Sequence, residues 1–299
     1  MRKWTPVLAT AFAVTGMALP AADGAIIDLL AEESFVGYSE GFLDGQQTSS
    51  TIGFDGTETW SADSLSARGF GALPDDGLSF PGLASAGGAA EAYRTTDFTD
   101  DSTHTATLAP DSPLTNMPEE LFFAALINAD GYTARADDED HHGVQAAFLH
   151  EDGGRPLGFG FGGASGGDEG AARTVRLRTQ ADDRLETGLT LQAGTNLLVL
   201  SIARPGGTGD NTYSLWLNPD LSEPVGAADF QHVESFGIVP GSGDWGFFGF
   251  RLFQSFNGEQ SVLVDELRFG ESFEAVTIPE PASLALMGLG GLLLIRRRR

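Results

Sequence analysis

Cysteine is absent from the chain. Without thiols there is no disulfide, no thiolate metal site and no cysteine nucleophile. Lysine is nearly absent as well, with Lys3 the single example. Basic residues number 17 against 42 acids, a formal net charge of -25. Six of those basic residues are Arg2, Lys3 and Arg296 to Arg299, so the stretch from Ala25 onward, without the terminal arginines, keeps 11 arginines against 41 acids, about -30. A surface of that sign repels nucleic acid and anionic lipid, and suits solubility, cations or a hydrated polymer matrix. Also missing is an apolar run of roughly 20 residues, the length that crosses a bilayer as a helix.

What is present at the amino end is ordered in three parts. Two positive charges in "MRKW" precede the short apolar stretch "VLATAFAVTGMAL", and "PAADGA" follows with a helix breaker and small residues. This is the plan of a secretory signal peptide, with cleavage expected between Ala21 and Ala25. The other reading is a buried first helix. Exported chains without cysteine must rely on packing, and a body of about 250 residues is large enough to do so.

The carboxy end is "IPEPASLALMGLGGLLLIRRRR". Pro279 and Pro281 exclude a helix interior where they stand. Ala282 to Ile295 are 14 uncharged residues. As a helix they reach about 21 Å, short of the roughly 30 Å of a hydrocarbon core. Arg296, Arg297, Arg298 and Arg299 orient the segment, since positive residues stay cytoplasmic and leave the body outside. The tripeptide Pro279, Glu280, Pro281, followed by a short Gly-rich apolar helix and an arginine cluster, resembles the PEP-CTERM protein-sorting signal. That resemblance implies export in a bacterium that secretes exopolysaccharide. It also implies recognition by the secretion machinery and by an exosortase, a membrane-embedded transpeptidase-like enzyme acting near the Pro-Glu-Pro motif. The membrane then holds the tail before processing, after which the body is at the cell surface or in the extracellular matrix. The other reading is a tail that stays in the membrane as a transmembrane anchor.

Between these ends, short apolar or alternating runs recur between Gly, Asp, Asn and Pro clusters. "EAYRTTDF", "THTATL", "VQAAFLH", "LGFGF", "RTVRLRT", "NLLVLSI", "YSLWL", "GFFGFRLF" and "SVLVDELRF" read as strands. In "TVRLRT", Val175 and Leu177 face one way and Arg176 and Arg178 the other. "NLLVLSI" is apolar on both faces, as a central strand would be. "LFFAALINA" is open between strand and short helix. Close-set strands without alternating helices predict an all-β chain, and 21 phenylalanines predict a packed core.

The second half is similar to the closing strands of laminin-G-like and concanavalin A-like jelly rolls. The residues that carry the likeness are Trp216, Asn218 and Pro219, then Val264 to Gly270 in "VDELRFG". The expected architecture is an antiparallel β-sandwich over residues 26–277. A signal helix within 1–25 precedes it and a hydrophobic helix within 278–299 follows.

Candidate sites are few. Asp137, Asp138 and Asp140 in "ADDEDHHG" supply hard oxygen ligands that suit calcium, although the order of a calcium-binding hand is missing. The stretch otherwise reads as an exposed acidic loop, and no cofactor is required. Trp60 and Trp245 stand in loop-like settings where an aromatic face can stack on a sugar or be buried. Trp216, between Leu215 and Leu217, reads as packing. Asp265 and Glu266 are adjacent in a strand and should point to opposite faces, unlike a hydrolytic carboxylate pair across a cleft. No nucleophile elbow or zinc helix motif is present. The sequence is therefore read as a non-enzymatic surface or matrix protein that binds glycans or builds the matrix. Extracellular polysaccharide hydrolase or lyase activity is the alternative.

Overall fold

A computed structural model describes the chain from Leu29 to Thr277, except residues 49, 51, 63–68, 74–76, 84–87, 95–103, 112–113, 116–117, 133–142, 149–156, 163–172, 180–184, 204–209, 235–245, 248 and 256–259. The signal segment and the apolar tail, with the helix expected in each, lie outside the described residues.

The first strands are β1 (Leu29–Glu33), β2 (Gly41–Phe42), β3 (Ser61–Ala62), β4 (Phe70–Leu73), β5 (Ala89–Arg94) and β6 (His104–Leu108). Next come β7 (Leu114–Thr115), β8 (Glu120–Asn128), β9 (Gly143–Phe148), β10 (Leu157–Gly162), β11 (Thr174–Arg178) and β12 (Leu185–Thr190). The last are β13 (Thr195–Ala203), β14 (Asn211–Leu217), β15 (Phe230–Glu234), β16 (Gly246–Phe247), β17 (Phe250–Ser255) and β18 (Gln260–Gly270), followed by the helix α1 (Phe273–Thr277). A nine-stranded sheet runs β15-β14-β13-β8-β18-β5-β4-β2, with β1 also on β18. A seven-stranded sheet runs β12-β11-β10-β9-β17-β6-β3, and β7 pairs with β16. The pairings of both sheets are antiparallel, as the sandwich expectation requires.

The main core lies between the sheets and joins Phe123, Ile127, Leu198 and Leu200 of the larger sheet to Phe159, Phe161, Val175 and Phe250 of the smaller. A second core covers the outer face of the larger sheet, where Phe273 and Val276 of α1 meet Phe122, Leu126, Leu197 and Val199. This second layer explains the unbroken apolar runs of β8 and β13. Their register puts Leu198 opposite Ala125 and Leu200 opposite Phe123 on the inner face, and Leu197 opposite Leu126 on the outer. "LFFAALINA" is thus a strand buried on both sides. Trp216 packs in the outer layer, edge-on to Phe273 at 5.5 Å, with its indole N–H donated to the Gly226 carbonyl.

The residues that carried the jelly-roll likeness hold the backbone at irregular points. Asn218 has φ 54°, accepts the Leu197 N–H at 2.8 Å through its side chain and donates to Asn196 at 2.9 Å. In β18, Asp265 stands opposite Leu126 and Arg268 opposite Ala124, so a bulge separates them. Glu266 sits in the bulge at φ 52°. Before it, β18 pairs with β5; after it, with β1. Asp265 accepts the N–H groups of Leu78 at 2.8 Å and Glu266 at 2.7 Å. Arg268 bonds both Glu266 at 2.8 Å and Glu32 of β1 at 3.0 Å. Asp265 and Glu266 do not reach opposite solvent faces, as simple alternation had suggested, because the bulge leaves both inside at 0% and 1% exposure.

Trp60 belongs to the main core. It stacks on Phe35 at 5.8 Å and 19°, and its indole N–H donates to the Tyr38 hydroxyl, which donates to the buried Glu33 carboxylate at 2.7 Å. Glu33 also accepts the Phe35 N–H, which holds that residue at φ 54°.

Two predictions follow from this packing. Trp60→Ala should cost about 3–5 kcal/mol, because it opens a large cavity and leaves Tyr38 without its donor. Urea unfolding that shows a loss under about 1 kcal/mol would contradict the burial. Burial, with Glu266 second, pushes Asp265 up to about 8, and burial also raises Glu33. The folded state then binds more protons than the unfolded chain between about pH 4 and 8, so this contribution to stability is complete below that window and lost as pH rises through it. Asp265→Asn should flatten the fall in midpoint across that window. An unchanged slope would show that Asp265 does not hold the proton.

Candidate functional site

The outer face of the seven-stranded sheet is built by strict alternation. In β11, Val175 and Leu177 enter the core with no exposure, which turns Arg176 and Arg178 outward as the sequence pattern predicted. In β17, Phe250 and Leu252 point inward and Arg251 and Phe253 outward. In β10, Phe159 and Phe161 fill the core, so Gly158 and Gly160 stand on the outer side, where both are buried.

Register aligns these positions into two rows across the sheet. One row is Ser61, Thr107, Arg251, Ala147, Gly158 and Arg178. The next is Thr105, Phe253, Gln145, Gly160, Arg176 and Glu186. Strands β11 and β17 are three steps apart, about 14 Å at the usual spacing. The Arg178 guanidinium nonetheless lies over the Phe253 ring, 5.5 Å from its centre. The glycines of β10 leave room for a side chain to cross the sheet. Such a cation over an aromatic face is attracted by the ring quadrupole.

Arg176 is 3% exposed and lies 3.4 Å from the Glu186 carboxylate, its register partner on β12. Arg178 and Arg251 are half-buried, and burial lowers the Arg251 proton affinity, although a guanidinium stays charged at neutral pH. Charge is divided unevenly between the sheets. The seven strands of the smaller one contain three arginines and a single acid, Glu186. The strands of the larger one contain seven acids and two arginines. In a chain this acidic, the strands of the smaller sheet hold more arginine than acid.

The residues singled out from sequence are not gathered here. Trp60, whose loop-like setting made it a sugar-stacking candidate, is 1% exposed with its ring enclosed by the core, so it has no face to offer a sugar. Trp245, Asp137, Asp138, Asp140, Pro279, Glu280, Pro281 and Arg296 to Arg299 lie outside the described residues. Among the described residues, no group of three or more His, Asp or Glu could hold a metal ion. Also among them, no helix is long and apolar enough to cross a membrane. The arginine face escaped sequence reading as a site because its members are separated along the chain. The available signals were the alternation in "TVRLRT", the Gly/Phe alternation in "LGFGF" and the scarcity of arginine.

No curated relative matches the sequence. Among solved structures, the chain is similar to the catalytic domain of the glycoside hydrolase family 131 protein from Coprinopsis cinerea, at 14% identity over 85% of this chain and 99% of that one, with a TM-score of 0.49. The GH131 beta-glucanase catalytic domain from Podospora anserina gives 10% identity over 81% and 88%, with a TM-score of 0.44. Peanut lectin gives 10% over 67% and 90%, with a TM-score of 0.37. Likenesses of this order concern strand arrangement and not chemistry. The family model of the PEP-CTERM protein-sorting motif matches residues 277–299. Its first residue, Thr277, is the buried last residue of α1, so the motif begins at the end of the last described helix. The chain therefore carries a PEP-CTERM sorting signal directly behind an antiparallel β-sandwich, and is an exported protein sorted to the cell surface.

Proposed function

We propose that an exosortase cuts the tail near Pro279, Glu280 and Pro281 and that the released sandwich serves as a non-catalytic, glycan-binding component of the surface matrix. The observation that carries the sorting half is the motif at residues 277–299. The binding half is supported by the outer face of the smaller sheet, where the half-buried Phe253 ring and the Arg178 guanidinium lie together. Sugars are held by such mixtures, since a ring face covers apolar C–H groups while charged donors fix hydroxyl or acid groups.

A non-catalytic role agrees with the carboxylates. Glycosidic hydrolysis ordinarily uses two, flanking the scissile bond. The strands of this face contain Glu186 alone, paired with Arg176, while Asp265 and Glu266 are committed to the interior. The acidic stretch at Asp137, Asp138 and Asp140 is the place where calcium would bind if the matrix role requires it.

Intact-mass analysis of the native surface-released protein should show a product without Arg296 to Arg299; retention of the four arginines would refute processing. The same protein should sediment with its host's purified matrix polysaccharide, with calcium chelation as the second arm, and leave the polymer chain length unchanged. New reducing ends or unsaturated products, abolished by a face variant, would instead assign it to the hydrolases or lyases.

A further inference from the structure

We infer that the layer over the larger sheet, built from α1 and residues 78–83 and 217–229, is the surface that the uncut tail holds against the membrane. The smaller sheet then points away from the bilayer. This rests on the sorting reading above, in which the membrane holds the tail before an exosortase cuts it, and adds which face of the body the lipid meets.

The tether is short. Thr277 ends α1 at 2% exposure, with its hydroxyl donated to the Phe273 carbonyl at 2.8 Å. The uncharged run of the tail begins at Ala282, so only residues 278–281 separate the two. Fully extended, the step from Thr277 to Ala282 spans at most about 18 Å. The start of that tether lies on one side of the sandwich. Phe273 and Val276 pack on Phe122, Leu126, Leu197 and Val199, the face of the larger sheet turned away from the smaller one. Packed layers lie about 10 Å apart, which puts the smaller sheet about 20 Å from α1 and its outer face farther still. The tether therefore lets the layer around α1 meet the lipid. It is too short to pass round the sandwich and bring the outer face of the smaller sheet down.

The layer's composition suits a contact that ends when the tail is cut. Trp216, half-buried against Phe273, is of the residue type that favours a membrane–water interface. Val225, next to the Gly226 whose carbonyl accepts the Trp216 N–H, is 43% exposed. Around them Asp220, Glu223, Glu271 and Glu274 are exposed. Residues 78–83, 217–229 and 271–277 contain no arginine or lysine. Anionic lipid repels such a rim, so the layer has no charge attraction of its own to the membrane. The tail makes the contact, and cutting it frees the body.

Because the chain has no cysteine, an introduced one carries a probe to a single place. Val225→Cys and Glu274→Cys put it in the α1 layer, and Thr190→Cys puts it on the exposed edge strand β12 of the smaller sheet. The tail-bearing protein, exported by a host without exosortase, is labelled with a fluorescent donor. It is then reconstituted in phosphatidylcholine vesicles whose headgroups carry an acceptor. Energy transfer from positions 225 and 274 should exceed that from 190 at least two-fold. Melting temperatures within a few degrees of the unlabelled protein confirm that each variant folds. The natively processed protein should not sediment with vesicles of phosphatidylcholine, with or without phosphatidylglycerol.

Equal transfer from the three positions, or more from 190, would overturn the inference and leave the sorting reading standing. Transfer from 225 and 274 that rises only when exosortase is added would give the layer to the enzyme instead of the lipid. Sedimentation of the processed protein would show a membrane affinity independent of the tail, and release by cutting would fall. A tail-bearing protein that stays out of the vesicles altogether would remove the membrane step of the sorting reading, and this inference with it.

Discussion

The bulge in β18 is the constraint on which the larger sheet depends. One strand there serves three neighbours: β8 on one side, and β5 and then β1 on the other. The change of partner happens where Glu266 takes a left-handed conformation that a side-chain-bearing residue rarely adopts. Asp265 holds the kink by accepting two backbone N–H groups, one of them from Leu78 far away in sequence. Arg268 spans from the bulge to β1. Burying such charges is unfavourable unless each is matched, and here the matching partners are the strands that must be joined. The acids of "VDELR" are therefore spent on architecture.

That use of buried acids separates the two sheets by role. The larger sheet is covered on both faces, by the inter-sheet core and by the layer containing α1. Its outer surface is occupied by the protein's own residues, Phe273, Val276 and Trp216 among them. The smaller sheet meets the core with one face only, and its other face has the arginines, Phe253 and the glycines of β10. The sorting signal fits this division, because it starts at Thr277, the end of the helix that closes the covered side.

Local pattern determined much of this. Alternation in "TVRLRT" and the double-faced apolar run "NLLVLSI" were legible because side-chain direction has a period of two along any strand. The order of prolines, apolar run and arginines at the chain end was legible because its meaning does not depend on what lies in front of it. Polar or very short strands were not. β12, "LETGLT", and β15, "FQHVE", are edge strands with half-buried patterns, and nothing local distinguishes them from loop.

The sequence by itself determined the sign of the charge, the lack of disulfides, the sorting tail and the all-β class, since each depends on composition or on neighbours along the chain. Tertiary structure alone decided what the individual side chains do. It enclosed Trp60 against Phe35 and Tyr38, turned Asp265 and Glu266 inward at a bulge, and made "LFFAALINA" a strand by covering both its faces. It also brought Arg178 of β11 into one register row with Arg251 of β17, and Arg176 into the row of Phe253, more than 70 residues later in the chain. No periodicity encodes that meeting, because the partners of a strand are chosen by the packing of the whole sheet.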